Sequence, residues 1–159
     1  MINNSIIIIL DNIKVLCNSK KLTTYKDISD YTGISISTIA TWYSPKRKQQ
    51  VLPRLKTLDK MCDKFKVHTS DLFIKESEFK HKYSGPNNTM NNFKVNFERI
   101  CIEKSHTKIK DRIDLLFGGA NGHERYYSYM RKKNPRSIPI DALDEIANKL
   151  NIETVELVK

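Results

Sequence analysis

The sequence predicts an all-α protein made of two small helical bundles in tandem, and three observations lead to this prediction. Apolar residues recur at helical spacing through most of the 159 residues, whereas the alternation typical of β-strands is weak. A stretch rich in Asn, Gly and Pro interrupts the helical pattern near the middle of the chain. The sequences on either side of that stretch are similar to each other, which indicates duplication of one helical unit.

The interruption sets the expected domain boundaries. It covers residues 76–92 and contains the pair Gly85-Pro86 among several asparagines, all of which disfavour a continuous helix. We therefore predict one domain at residues 1–75, a linker at residues 76–92 and a second domain at residues 93–159.

Two blocks carry the internal similarity. Residues 12–17 correspond to residues 96–101 at an offset of 84, and residues 58–65 correspond to residues 143–150 at an offset of 85. Apolar positions match apolar positions in both blocks, as expected for two copies of one helical unit.

The charge of the chain favours a polyanionic partner. The 28 Lys and Arg outnumber the 18 Asp and Glu, for a net charge of +10. A surplus of this size is typical of nucleic-acid binding, although solubility alone is the alternative explanation. Residues 1–75 hold 13 basic and 6 acidic residues and the rest holds 15 and 12, so the first half is the better predicted DNA binder.

Other classes of protein find little support in the sequence. Three cysteines without CxxC spacing argue against disulfides and zinc, and they favour a reduced, cytoplasmic setting. The short apolar run at residues 6–10 ends at Asp11, too early for a signal peptide or a membrane span. Four scattered histidines and no catalytic motif predict a protein that is not an enzyme and holds no metal or cofactor.

Residues 25–42 meet the steric demands of a helix-turn-helix. Two closely crossing helices need a small residue at their contact, which is Ser29, and the tight turn needs a residue that tolerates positive φ, which is Gly33. Ile34 is the apolar residue expected after the turn. The second helix needs an N-cap and an apolar stripe, for which the candidates are Ser35 or Ser37 and then Ile39 and Trp42.

With these features the chain resembles the Cro and lambda-repressor type (Xre family) of helix-turn-helix DNA-binding domains. Residues 55–67 resemble the fourth helix of that family and residues 69–73 its closing segment, so the resemblance covers roughly residues 6–74. The loop at residues 43–53 is longer than is usual in the family.

The resemblance implies that the second helix of the motif lies in the major groove of DNA. The side chains expected at base edges are Ile36, Ser37, Thr38 and Thr41. Phosphate contacts are expected from Tyr25, Lys46, Arg47 and Lys48, with a solvated loop as the alternative for the three basic residues. Trp42 is expected to pack in the core rather than to stack on a base.

The second half resembles the same family at its ends and departs from it in the middle. Residues 138–152 resemble the fourth helix, but a longer turn at residues 118–122 separates a helix at 108–117 from a second recognition helix predicted at 123–133. The predicted DNA contacts of this half are His123, Arg125, Ser128, Tyr129, Arg131, Lys132, Lys133 and Arg136.

Two functions from different classes follow. The resemblance implies a sequence-specific transcriptional regulator of double-stranded DNA, a repressor of phage or mobile-element type. The alternative is a protein-binding inhibitor or adaptor, antitoxin-like or directed by a phage against host defence, that keeps the scaffold and binds its partner through the second domain. Solvent-facing tyrosines within residues 123–133 would favour the adaptor.

The apolar run at residues 6–10 bears on oligomeric state. Four consecutive isoleucines point in every direction around a helix, so one small bundle is not expected to cover them all. Either the second domain buries them or they form the contact of a homodimer, which we predict. A homodimer would read a palindromic site, whereas a monomer with two unlike recognition helices would favour an asymmetric one.

Overall fold

A computed structural model describes residues 4–44 and 51–159 of the chain. These residues contain nine α-helices and no β-strand, which confirms the all-α prediction. The helices are α1 (Ser5–Ser19), α2 (Tyr25–Thr32), α3 (Ile36–Trp42), α4 (Leu55–Phe65), α5 (Thr89–Glu103), α6 (Ile109–Leu116), α7 (Gly122–Met130), α8 (Ile140–Leu150) and α9 (Val155–Val158). A 3-10 helix, Thr69–Phe73, follows α4.

The two halves share one hydrophobic core. The first half comprises α1 to α4 and the 3-10 helix, and the second half comprises α5 to α9. Helix α1 packs against the 3-10 helix and also against α8 of the second half, while α5 packs against α9 and also against α4 of the first half. The first helix of each half therefore contacts the fourth helix of the other, and the buried side chains form a single continuous cluster.

The connection between the halves is shorter than the predicted linker. Helix α5 begins at Thr89, so the last four residues of the predicted linker at 76–92 are helical. The start is set by Asp59 of α4, whose carboxylate accepts the backbone N–H of Thr89 at 3.0 Å. Ahead of α5, the Asn87 side chain donates to Asp63 at 2.7 Å and to the Val67 carbonyl at 3.0 Å, which ties the connection to the first half.

Helix α7 ends earlier than the sequence predicts. The prediction extended it to Lys133, but Arg131 already has an extended backbone, with φ −57° and ψ 147°. Asn134 takes a positive φ of 47°, and the Arg136 N–H donates to the Ser128 carbonyl at 2.8 Å. The chain therefore folds back on the end of the helix, and residues 131–139 form a loop that leads to α8.

The N-terminal apolar run is mostly covered within the chain. Ile9 is fully buried, and Ile6 and Ile8 are half-buried in clefts shared with Ile140 and Val155 of the second half. Of the four isoleucines, Ile7 is the exposed one, at 58%. Contact with the second half, one of the two alternatives raised by the sequence, thus covers part of Ile6 and Ile8.

Candidate nucleic-acid interface

Helix α2 is anchored at its start by reciprocal hydrogen bonds. The Thr24 hydroxyl accepts the Asp27 N–H at 3.1 Å, and the Asp27 carboxylate accepts the Thr24 N–H at 2.8 Å. Such a capping box satisfies backbone donors that the first turn of a helix leaves unpaired. The hydrogen bond from the Thr24 N–H is the main reason that the pKa of Asp27 lies below its usual range.

The turn between α2 and α3 has the geometry that the sequence predicted. Gly33 lies in the left-handed region, with φ +70°, and its N–H donates to the Ser29 carbonyl at 2.7 Å. The Lys60 ammonium of α4 donates to the Gly33 carbonyl at 2.7 Å, a contact that sequence reasoning missed. The turn is therefore held against α4 as well as within its own backbone.

Helix α3 is capped and seated as expected. Ser35, one of the two N-cap candidates, accepts the Thr38 N–H at 3.2 Å, and Ile34 is buried. Ile39 and Trp42 are each 1% exposed, which confirms that Trp42 belongs to the core. These contacts fix the rotation of α3 about its axis and so decide which of its side chains face outwards.

The outward face of α3 is small, neutral and able to form hydrogen bonds. Ile36 is 47% exposed, Ser37 is exposed, and Thr38 and Thr41 are half-exposed. The Thr41 hydroxyl donates to the Thr38 carbonyl at 2.7 Å, so its oxygen keeps lone pairs for an outside donor. Hydroxyl groups beside an aliphatic side chain suit the polar edges of bases and the thymine methyl group.

The expected phosphate contacts of the first half divide into two groups. Tyr25, in the first turn of α2, is 42% exposed, and its ring stacks on Tyr43 with centroids 6.0 Å apart. The basic residues Lys46, Arg47 and Lys48 lie outside the described residues.

In the second half, the three tyrosines of α7 differ in burial. Tyr126 and Tyr129 are 4% and 5% exposed, and both pack their rings against Phe117. Tyr127 is 53% exposed and is thus the surface tyrosine of α7. The predicted DNA contact of Tyr129 is therefore corrected, because its place on the inner face of α7 puts it in the core.

Two further predicted contacts of α7 are engaged within the protein. The Arg125 guanidinium forms an ion pair with Glu145 at 3.3 Å, and Glu145 also binds the Lys149 ammonium at 2.8 Å. The hydrogen bond from Lys149 is the first reason that the pKa of Glu145 lies below its usual range. The Ser128 hydroxyl donates to the Arg125 carbonyl at 2.9 Å and is half-buried.

The remaining predicted contacts of the second half are exposed. His123 stands in the first turn of α7, and four cations occupy the loop behind that helix. These four are Arg131, Lys132, Lys133 and Arg136. The loop, and not a longer helix, therefore presents the basic side chains.

Arg54 and Lys56 extend this basic surface onto the first half. The Arg54 guanidinium donates to the Ser137 carbonyl at 2.8 Å, and the Lys56 ammonium donates to the Pro135 carbonyl at 2.7 Å. Both contacts are to neutral oxygens, so the positive charges are not cancelled. We call Arg54, Lys56 and the four loop cations the junction cations; across residues 4–44 and 51–159, no ion pair joins any of them to an acidic side chain.

Sequence reasoning missed Arg54 and Lys56 as part of a basic surface. Their signal was their position at the start of α4, where Arg54 is the N-cap residue and Lys56 lies in the first turn. It is the approach of residues 131–139, about 80 positions away, that makes them part of a larger surface.

Within the part of the chain that the structure describes, the side chains form no cluster of three or more residues suited to hold a metal ion. In the same residues, no helix combines the length and apolar character needed to cross a membrane.

Comparison with known proteins bears on the first half of the chain. Neither the curated proteins nor the solved structures gave a match to the chain. Comparison with family models matched residues 12–78, which include α2, the turn at Gly33, α3 and α4. The matching model is that of the Cro/C1-type helix-turn-helix DNA-binding domain, to which residues 12–78 of this chain are similar.

Proposed function

We propose that the protein is a sequence-specific regulator of transcription that inserts α3 into the major groove of double-stranded DNA. The observation that carries the proposal is the outward face of α3, where Ile36, Ser37, Thr38 and Thr41 stand on a helix fixed by Gly33 and by buried Trp42. The match of residues 12–78 to a DNA-binding domain agrees with this docking.

The finer role that we propose is that of a repressor of phage or mobile-element type. Such a protein acts by occupying DNA in the cytoplasm and needs no catalysis. The net charge of +10 supports a polyanionic partner of this kind.

We propose that the second half is a divergent copy of the same domain. The order of helices supports this, since α5 to α8 follow one another as α1 to α4 do. A buried aromatic lies in the last turn of each recognition helix, Trp42 in α3 and Tyr129 in α7. The alternative, a protein-binding adaptor, would be supported by a row of solvent-facing tyrosines on α7. One of its three tyrosines, Tyr127, faces solvent, so we favour DNA as the partner of this half.

The homodimer predicted from the sequence is untested, and the pairing of the two halves described below argues for a monomer instead. Exposed Ile7 supports a homodimer, but the burial of Ile9 and the partial cover of Ile6 and Ile8 leave little of the apolar run to form a contact. Light scattering of the free protein measures this directly.

Selection of bound sequences from random duplex DNA, followed by substitutions on α3, tests the proposed docking. Thr38→Ala and Thr41→Ala should each change the preferred base at particular positions, at about 1–3 kcal/mol per lost contact. Ile36→Ala should weaken selection of a thymine, since the aliphatic contact with its methyl group is lost.

Lys20→Ala is a control on the same half of the chain, since Lys20 is an exposed cation directly after α1 and is not part of α3. It should leave the selected sequence unchanged. Recovery of no preferred sequence by the folded protein would overturn the proposed function.

A further inference from the structure

We infer that the two halves of a single chain are related by approximate two-fold symmetry and each present one recognition helix to DNA. The chain then binds as a monomer to one duplex site with two unlike half-sites. The inference rests on the proposed function and extends it to the second half. Its starting point is a set of hydrogen bonds between the halves in which each bond has a counterpart with the two halves exchanged.

The first exchanged pair consists of the two buried carboxylates at the junction. Asp59 of α4 accepts hydrogen bonds from the hydroxyl of Thr69 in its own half, at 2.8 Å, and from the N–H and hydroxyl of Thr89 in the other half. Thr89 is the first residue of α5, so the first half caps the first helix of the second half.

Asp144 of α8 repeats this arrangement in the opposite direction. It accepts hydrogen bonds from the Thr154 hydroxyl of its own half, at 2.6 Å, and from the N–H and hydroxyl of Ser5, at 2.8 and 2.6 Å. Ser5 is the first residue of α1, so the second half caps the first helix of the first half. The three corresponding pairs of residues are separated by 84 or 85 positions.

A second exchanged pair lies in the backbone just before α4 and α8. The Leu55 N–H donates to the Ile138 carbonyl at 3.1 Å, and the Ile140 N–H donates to the Pro53 carbonyl at 3.3 Å. Leu55 and Ile140 are equivalent at an offset of 85, and so are Pro53 and Ile138, so the second bond is the first with the two halves exchanged. Two-fold symmetry produces contacts in such pairs. If residue i of one half contacts residue j of the other, then the equivalent of j in the first half contacts the equivalent of i in the second.

The ends of the two halves also meet each other. The 3-10 helix packs against α9, and Leu72 and Phe73 are buried there with their equivalents Leu157 and Val158. A surface of this kind pairs with itself and is saturated when two copies have met. Because both copies lie in one chain, this interface leaves no free counterpart for a second chain.

The two-fold relation places the two recognition helices on either side of the junction. The segment after α3 reaches the junction at Pro53, and the segment after α7 reaches it at Ile138. If the DNA-binding surface of one half faces along the two-fold axis, the equivalent surface of the other half faces in the same direction. The junction cations lie at the meeting point of the two segments, where they suit the phosphates between two half-sites.

The two helices differ in what they offer a base edge. Helix α3 presents Ser37 and Thr38, whereas α7 presents His123 and Tyr127. The half-sites should therefore differ in sequence, and the whole site should not be a palindrome. On a straight duplex the centres of the two half-sites should lie about one helical turn apart, roughly 10 base pairs.

The test uses the full-length chain and the duplex it selects from random sequences. We expect one 18.5 kDa chain per duplex by light scattering, and a protected region longer than one helical turn. Tyr127→Ala should reduce the preference at one half-site, and Thr38→Ala at the other, each by about 5- to 150-fold per lost contact. Thermal unfolding of each variant checks that it is folded.

A charge-matched pair of double variants tests the junction. Lys132→Ala with Lys133→Ala should lower the slope of log affinity against log salt by about two units. Lys80→Ala with Lys82→Ala removes the same charge from the connection between the halves and should leave the slope unchanged.

The outcomes separate this inference from the proposed function. A palindromic site bound by two chains overturns the inference and leaves the proposed function in place, as does a short footprint that the α7 and loop variants do not alter. A folded chain that selects no sequence overturns both.

Discussion

Gly33 is the single residue on which the turn of the helix-turn-helix depends most directly. Its φ of +70° is a conformation that residues with a Cβ adopt at a cost. A Cβ built there would also meet the Lys60 ammonium at 3.4 Å, the group that donates to the Gly33 carbonyl. Gly33 is therefore constrained both by its left-handed backbone conformation and by its hydrogen bond from Lys60 of α4.

Gly33→Ala should lower the free energy of unfolding by about 1–2 kcal/mol, because alanine is strained in the left-handed region. Urea denaturation of the two proteins measures the difference. Gly33→Asn is the matched control, since asparagine tolerates this conformation, and it should recover most of the loss. Equal losses in the two variants would show that the space beside Lys60, and not backbone strain, limits this position.

At the scale of elements, the capping box makes the start of α2 sensitive to pH. Asp27 bears a charge near the positive end of the helix dipole and accepts hydrogen bonds from Thr24. The hydrogen bonds, chiefly the one from the Thr24 N–H, favour the ionised form of Asp27 and lower its pKa in the folded state. The ionised carboxylate therefore stabilises the fold. The contribution is present above the pKa of the unfolded state and is lost as the pH falls through the pKa of the folded state.

Asp27→Asn should therefore reduce stability at neutral pH, and the difference from the original protein should vanish in acid as both side chains become neutral. Thermal unfolding from pH 7 down to pH 2 gives both curves. Asp30→Asn serves as control, since Asp30 lies on the same helix and pairs with Lys26 outside the cap. A difference that persists at pH 2 would mean that the amide disturbs the cap by its shape.

At the scale of the whole molecule, the halves are joined by buried polar contacts as well as by a common core. Asp59 and Asp144 are each buried, and each holds the first residue of a helix in the other half. Burial raises the pKa of Asp59 despite its hydrogen bonds, so this carboxylate costs stability as it ionises with rising pH. We therefore expect the folding of one half to be coupled to that of the other.

The chain should therefore unfold in one cooperative transition, with equal calorimetric and van't Hoff enthalpies. Asp144→Ala should lower the free energy of unfolding by about 1–3 kcal/mol, because the Ser5 N–H loses its acceptor. The midpoint of the single transition should fall accordingly. Asp141→Ala is the matched control, because this exposed aspartate on α8 accepts a hydrogen bond from the Ala142 N–H and, among the described residues, forms no hydrogen bond or ion pair with α1. Two separate transitions in the original protein would show that the halves fold independently.

Much of the local structure could be predicted from sequence, because short-range rules set it. The positive φ of Gly33, the cap at Ser35 and the burial of Trp42 follow from turn chemistry and helical spacing within eighteen residues. In the second half the same rules gave a helix that ran past Met130, since nothing local announces that the Arg136 N–H folds back on Ser128.

By itself the sequence determined the all-α class, the first helix-turn-helix and the face that α3 turns outwards, since each depends on neighbours within a turn or two of helix. Only the tertiary structure decided that Tyr129 is buried, that Arg125 pairs with Glu145 and that each half caps the first helix of the other. The physical reason is distance along the chain. Ser5 and Asp144 are 139 residues apart, and a hydrogen bond between them depends on the packing of whole helices, which local periodicity does not encode.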